Sequence, residues 1–351
     1  MTIYLLVFAG ALVLAVAATP AARWLAPRAG FIDHPEARRV HKHPVPRLGG
    51  AAIYLAVIIA AVILGERSSF NEFGAILIGA TGMSFMGLVD DRWGLRWLIK
   101  LLAQILAALL LYANDIYVGV FHHPVLNLVA TVAWVFYITN AINYLDNMDG
   151  LSSGTAAIAA TFFALMCSFS GQYLVGALSV AVLAACLGFL FYNLNPASIF
   201  MGDSGSQFLG FTLAAIGIKL RFPDNSDFVT WMVPVLVLGL PIFDVTLVTF
   251  SRLRRRISPA TAGLDHTSHR LVAAGMTHRE AVLTLYVVSF VLGLLATFVT
   301  QASVTEGYIA GAFVILAGIY GLWRLERPPF FRIDPMPKPQ TLQPGTNQPT
   351  N

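Results

Sequence analysis

Residues 174–191 read LVGALSVAVLAACLGFLF, eighteen consecutive positions without a charged side chain. Crossing the hydrocarbon core of a bilayer as a helix takes about 20 apolar residues. No water is available there to satisfy the backbone, so such a run reads as a transmembrane helix. Working outward in both directions, similar apolar segments occupy 3–22, 48–65, 73–89, 97–113, 124–140, 155–170, 207–220, 228–250, 281–299 and 307–323. Of the 351 residues 57% are hydrophobic and 11% charged, against about 25% charged in soluble domains. A soluble globule is excluded. The expectation is an all-α polytopic membrane protein with about 11 transmembrane helices.

Orientation follows from Lys and Arg in the connections, because they accumulate on the cytoplasmic side. Arg23, Arg28, Arg38, Arg39, Lys42 and Arg47 follow the first span, Arg92 and Arg96 the third, and Arg252, Arg254, Arg255, Arg256, Arg270 and Arg279 the ninth. Arg324, Arg327, Arg332 and Lys338 follow the last, whereas the alternate connections hold only Arg67, Lys219 and Arg221. This bias puts the N-terminus outside and the C-terminus in the cytoplasm. No Lys or Arg precedes Arg23, so the first segment reads as a retained span rather than a signal peptide. Residues 1–325 read as one membrane domain, and 326–351, rich in Pro, Gln, Thr and Asn, as a disordered cytoplasmic tail. Cys167 and Cys186 lie inside apolar blocks and form neither a disulfide framework nor a metal-ligand spacing.

Two cytoplasmic loops contain carboxylates and no cation: 141–154, AINYLDNMDGLSSG, and 192–206, YNLNPASIFMGDSGS. Anionic loops on the side that gathers cations suit a hard divalent cation held by oxygen ligands. The plainer role for each Asp and Asn is as a helix cap or turn former. Asp90 and Asp91 are adjacent carboxylates at the end of the third span. They need a metal or basic ligand, or neutralisation by Arg92 and Arg96. Lys100 and Gln104 share one helical face in the next span. Lys100 either snorkels to the interface or meets a phosphate at the same rim. His266 and His269 fall on one face with Arg270 beside them, a pattern suited to a metal or an anionic phosphate. The order His-Glu-x-x-His of a zinc hydrolase is missing there. Carboxylates for a divalent cation, cations for phosphates and a membrane surface together suit phosphoryl transfer from a soluble donor to a lipid acceptor.

In these motifs the chain resembles the polyprenyl-phosphate N-acetylhexosamine-1-phosphate transferases, the family that includes phospho-MurNAc-pentapeptide translocase. The matching segments over roughly 1–325 are VHKHPVPRLGG at 40–50, Asp90-Asp91, Asn140-x-x-Asn143-x-x-Asp146-x-x-Asp149-Gly150, Asn193 with Pro196 to Ser206, and the His266/His269 stretch. The resemblance implies transfer of a sugar 1-phosphate from a UDP-N-acetylhexosamine to a polyprenyl (undecaprenyl) phosphate, with release of UMP. It implies Mg²⁺, with Mn²⁺ as a substitute, at the cytoplasmic face of a bacterial plasma membrane. Carried over by motif, Asp203 is the principal metal ligand and Asn143 a second, and Asp90 and Asp91 serve the metal or deprotonate the lipid phosphate. Lys100 contacts the pyrophosphate. Asp146, Asn193 and Phe200 line the nucleotide pocket, Asp149 is a further substrate-binding residue, and His266, His269 and Arg270 hold the sugar-phosphate side.

Two positions depart from the resembled pattern. Ser268 stands where the UDP-GlcNAc branch has the middle imidazole of His-x-His-His, and Asn147 stands where the family usually has Gly. The histidine run followed by Phe-Glu of the pentapeptide branch is absent, which favours a plain N-acetylhexosamine, GlcNAc foremost. The implied partners are the UDP-sugar, the polyprenyl phosphate and the bilayer, without nucleic acid, and a homodimer is compatible with this reading. The competing class is an ion-coupled transporter, with Lys100 and Asp244 as its intramembrane charges.

Overall fold

The computed structural model describes residues 2–33, 43–64, 70–222, 226–261 and 263–331. Parts of the sequence argument therefore lie outside the described residues: Val40, His41 and Lys42 of the first motif, the loop charges Arg38, Arg39, Arg67, Arg332 and Lys338, and the tail from 332. The chain runs α1 (Thr2–Ala29), β1 (Ile32–Asp33), β2 (Val45–Pro46), α2 (Gly49–Leu64), α3 (Phe70–Trp93), α4 (Trp97–Tyr112), α5 (Pro124–Leu145), α6 (Leu151–Phe169) and α7 (Tyr173–Asn193). It continues with α8 (Gly202–Lys219), α9 (Asp227–Val237), α10 (Gly239–Arg254), α11 (Thr267–Ala273), α12 (His278–Val299) and α13 (Val304–Leu325).

Each apolar segment of the sequence is helical, and the protein is an all-α polytopic membrane protein. By length and composition seven helices qualify as spans: α1, α3, α5, α6, α7, α12 and α13. An eighth is added if α9 and α10, bent by 76° at their junction, form one broken span. The helices α2 and α4 have 16 residues each, about 24 Å at 1.5 Å per residue, which is short of a hydrocarbon core about 30 Å thick.

Helix α8 is different in kind. From Ser204 to Ile218 every residue is buried, and α2, α3, α5, α6, α7 and α9 surround it. A helix enclosed on all sides has no need of an amphipathic stripe. It does need small residues wherever a neighbour's backbone comes close. A Cβ on Gly50 of α2 would run into the backbone of Gly205, and one on Gly87 of α3 into the backbone of Asp203. Those two contacts bring α2 and α3 against the head of α8.

The short antiparallel ribbon β1–β2 pairs Ile32 with Pro46 and Asp33 with Val45. Its continuation grips the segment before α8: Phe200 N donates to Pro46 O at 2.8 Å, Gly49 N to Phe200 O at 2.9 Å and Gly50 N to Met201 O at 2.8 Å. The connections following α1, α3, α5, α7, α10 and α13 meet at one end of the bundle, as the hydrogen bonds described below establish. The folded part extends beyond residue 325. Arg270 donates to Leu325 O and to Glu326, each at 2.8 Å, and the guanidinium of Arg270 lies 4.4 Å from the Phe331 ring centroid. Residues 326–331 thus belong with the membrane domain rather than with the tail expected from composition.

If Gly50 is glycine because of Gly205, Gly50→Ala overpacks the α2–α8 contact at a cost of about 1–3 kcal/mol. It should lower the thermal midpoint of detergent-purified protein. Gly82→Ala, at a site with nothing within 4 Å, should leave it unchanged. Equal midpoints for the two variants would contradict the close packing of α2 on α8.

Candidate active site

Four segments deliver polar side chains to the first turn of α8, where Asp203 stands. Arg47, just after β2, donates through Nη2 to Asp203 Oδ1 at 2.9 Å, and its Nε lies 3.0 Å from Asp91 Oδ1. Lys100, in the first turn of α4, donates to Asp203 Oδ2 at 3.1 Å and pairs with Asp90. Asn143, near the end of α5, donates to Asp203 Oδ1 at 3.3 Å and to Ser206 Oγ at 2.8 Å. Burial alone would raise the Asp203 carboxyl. A hydrogen bond shared with Asp90, together with the charges of Arg47 and Lys100, outweighs burial and holds it well below the usual carboxylate range. Asp203 is therefore an ionised carboxylate at working pH.

One turn deeper along the same three helices lies an uncharged layer. Gln104 donates to Gln207 at 2.9 Å, and Asn140 donates to Gln104 at 2.9 Å. It repeats α4, α5 and α8 at a spacing of three or four residues from Lys100, Asn143 and Asp203, the separation that keeps residues on one helical face. It locks the register of the charged layer above it.

Asp90 and Asp91 have separate tasks, and neither pairs with Arg92 or Arg96. Both oxygens of Asp91 are taken, Oδ1 by the backbone N–H of Asp203 at 2.9 Å and Oδ2 by that of Ser204 at 3.1 Å. These are the otherwise unsatisfied N–H groups at the start of α8. Asp91 is thus a helix cap supplied from another helix and a partner of Arg47. Asp90 accepts from Leu95 N at 2.7 Å and faces Lys100 and Asp203.

Beside this cluster opens a cavity of about 480 Å³, within the size range of small-molecule sites. Asp146, Asn147, Met148 and Asp149 form one wall, Asn193, Asn195–Ala197, Phe200 and Gly202 another, Leu264, His269 and His278 a third, and Asp33, Val45 and Arg47 the last. Asp149 accepts from Asn195 Nδ2 at 2.9 Å and from Ala197 N at 3.0 Å. Asn193 accepts from Gly150 N at 3.1 Å and Ser153 Oγ at 3.2 Å, and donates to Ile199 O at 3.0 Å. These two side chains hold the walls together, so their part in the pocket is positioning. Burial pushes the Asp146 carboxyl up to about 7, against the pull of Arg47 and with the support of Asp203, Asp91 and Asp149.

The histidine segment divides. His266 Nδ1 lies 2.8 Å from Asp244 Oδ2, and Asp244 Oδ1 accepts from Thr267 N at 2.7 Å. Asp244 thereby anchors α11, a structural use for the intramembrane acid that a transporter reading would have claimed. Arg270 is also withdrawn from substrate. It is 1% exposed, it donates to Asp265 O at 2.8 Å, and it holds Leu325 and Glu326 as described above. Arg252 forks onto Asp265 at 3.0 and 2.6 Å, and Arg255 joins at 2.5 Å. Of the three candidates His266, His269 and Arg270, only His269 lines the cavity. Burial, reinforced by His266 and His278, lowers its imidazole to about 4, so it is neutral near pH 7. The two departures noted in the sequence touch each other: Ser268 Oγ donates to Asn147 Oδ1 at 2.6 Å.

Sequence reasoning missed Arg47 and His278. Arg47 stands within the quoted 40–50 motif but by sequence alone is one more loop charge. His278 opens α12 with no local signal, and only the fold brings it to the cavity.

The donor chemistry fits a hard divalent cation, with the Asp203 carboxylate and the Asn143 amide in contact and Asp90 meeting Asp203 across the Lys100 ammonium. Among the described residues no group of three or more His, Cys, Asp or Glu side chains forms a ready cage. Mg²⁺ does not require one, since it keeps several waters and binds through one or two carboxylates plus substrate phosphates.

Residues 73–221 match glycosyl transferase family 4. The chain is 34% identical over 295 residues to the probable undecaprenyl-phosphate N-acetylglucosaminyl 1-phosphate transferase of Bacillus subtilis (strain 168), covering 82% of each chain. It is 32% identical over 308 residues to the decaprenyl-phosphate N-acetylglucosaminephosphotransferase of Mycolicibacterium smegmatis, covering 77% of this chain and 75% of the relative. It is 30% identical over 287 residues to the phospho-N-acetylmuramoyl-pentapeptide-transferase of Bacillus cytotoxicus, covering 74% and 84% respectively.

The raised Asp146 has a pH signature. Its carboxyl titrates at about 7 when folded and at about 3.9 when unfolded. Its contribution to stability is therefore complete below about pH 4 and is lost as pH rises to about 7. In divalent-free detergent solution, the thermal midpoint of wild type should fall relative to that of Asp146→Asn between those limits and then level off. A difference independent of pH would contradict the burial of Asp146.

Proposed function

The chain belongs to glycosyl transferase family 4, and from that premise and the geometry of the site we propose that it transfers N-acetylglucosamine 1-phosphate from UDP-N-acetylglucosamine to a polyprenyl phosphate, releasing UMP. The observation that carries the reading is the meeting of Arg47 and Lys100 on an ionised Asp203 beside a cavity large enough for the head of a nucleotide sugar. The charge bias of the connections supports placing this end of the bundle in the cytoplasm, where the nucleotide donor would enter.

In the proposed reaction a phosphate oxygen of the lipid attacks the phosphorus that bears the sugar. The bond to the UMP oxygen breaks, and UMP leaves with that electron pair. Arg47 and Lys100 bind the phosphate oxygens, and their attraction grows as charge builds up on the leaving group. Asp90, beside Lys100, takes up any proton left on the acceptor phosphate. Phe200 offers its ring to the uracil, and Asp146 accepts from donor hydroxyls. Asp203, with Asn143, would hold Mg²⁺, which when bound supplies Lewis-acid neutralisation of the phosphates. Asp91, Asn193 and Asp149 work indirectly, holding the head of α8 and the cavity walls.

The test is UMP release by purified protein supplied with Mg²⁺, polyprenyl phosphate and a panel of UDP-sugars. Release should require lipid and Mg²⁺ together. Asp203→Asn should lower turnover by about 10³-fold or more while the protein stays folded. Arg47→Lys, which keeps the charge but loses the fork that joins Asp91 to Asp203, should also be impaired. Near-wild-type turnover in Asp203→Asn would refute the assignment.

A further inference from the structure

Three side chains that line the cavity, the Asp146 carboxyl and the His269 and His278 imidazoles, make no hydrogen bond to another described residue, and two of them, Asp146 and His269, have chain neighbours that are bonded to each other. These two come from opposite walls, one from the turn after α5 and the other from α11. Each is the immediate chain neighbour of a residue whose side chain is fully engaged. Ser268, 1% exposed, donates to Asn147 Oδ1 at 2.6 Å, and Asn147 donates in turn to Tyr144 O at 2.7 Å. One side-chain bond, between residues 121 positions apart in sequence, thus ties the Asp146 wall to the His269 wall. The far side of α11 is already fixed by Asp244, so the bond leaves Asp146 and His269 at one separation.

We propose that the Asn147–Ser268 hydrogen bond determines sugar selectivity, by setting the spacing at which Asp146 and His269 engage the hydroxyl and acetamido groups of the donor's sugar. The inference rests on the transferase reading above and assigns Asp146 to the sugar. The charged groups around Asp203 meet the phosphates, and Phe200 supplies the flat apolar face that a base requires. A carboxyl group and a neutral imidazole together offer acceptors and donors, the complement of a hydroxyl-rich ring. Sites of this kind discriminate strongly, because the wrong stereoisomer leaves a buried polar group unpaired. The spacing of the reading groups then matters as much as their identity, and neither Asn147 nor Ser268 has to touch the sugar to control it. Both are positioning residues.

The experiment is a double-mutant cycle on Ser268→Ala, Asn147→Ala and the pair, with kcat/KM measured for UDP-GlcNAc and UDP-GalNAc by UMP release. Each single substitution should shift the ratio of the two kcat/KM values by about tenfold. The double variant should shift it no further, since either change breaks the same bond. Ser268→Thr, which keeps the hydroxyl, should retain the wild-type ratio, and binding of UDP alone should be unaltered in Ser268→Ala. The two single variants approach the bond from different walls, so either one carries the test if the other does not fold. An unmoved ratio, multiplying shifts, or equal weakening of UDP itself in Ser268→Ala would overturn the proposal. Absence of UMP release by wild type from any donor would be a different result, overturning the transferase reading itself.

Discussion

A carboxylate at the head of a helix enclosed by six others stays ionised only if cations reach it from outside that helix. Burying an unpaired charge costs several kcal/mol even after relaxation. Asp203 is supplied by Arg47 from the ribbon after α1 and by Lys100 from the start of α4, and these segments come together only when α2, α3 and α8 are packed backbone to backbone. Gly50 and Gly87 permit that approach, and Asp91 closes it by capping α8 from α3. The charged site and the core packing are therefore one construction. Disturbing a small residue in the interior moves Asp203, and removing a cation leaves a buried anion unpaired.

The start of α4 is placed by the same requirement. What the site requires of α4 is the level at which it begins. Starting at Trp97, it places Lys100 beside Asp203 and Gln104 beside Gln207, in two successive layers. The broken pair α9–α10 likewise brings Arg252 to Asp265 and Asp244 to His266, which holds α11 against the cavity.

The apolar segments were legible in the sequence because a bilayer leaves the backbone few alternatives to a helix. Asp90, Asp203, Asn143 and Lys100 stood out because polar groups at a membrane boundary need a reason to be there, and the structure gathers all four. The residues read less well were those whose partners lie far away in the chain. Arg47 looked like one more topogenic charge until the ribbon carried it to Asp203, 156 positions on. Arg270 and His266 look like substrate ligands by spacing alone, yet their partners are Asp265, Glu326 and Asp244, and no local pattern announces those contacts. Likewise Asn147 and Ser268 were visible as two unrelated departures, and their hydrogen bond makes them one feature.

The central claim is that nucleotide, cation and lipid phosphate meet at Asp203. A cryo-EM structure determined with UDP-N-acetylglucosamine and Mg²⁺ tests it most directly. The account predicts the uracil against Phe200, the diphosphate at Arg47 and Lys100, the cation on Asp203, and the sugar between Asp146 and His269. A nucleotide bound outside this cavity, or a cation with no contact to Asp203, would contradict it.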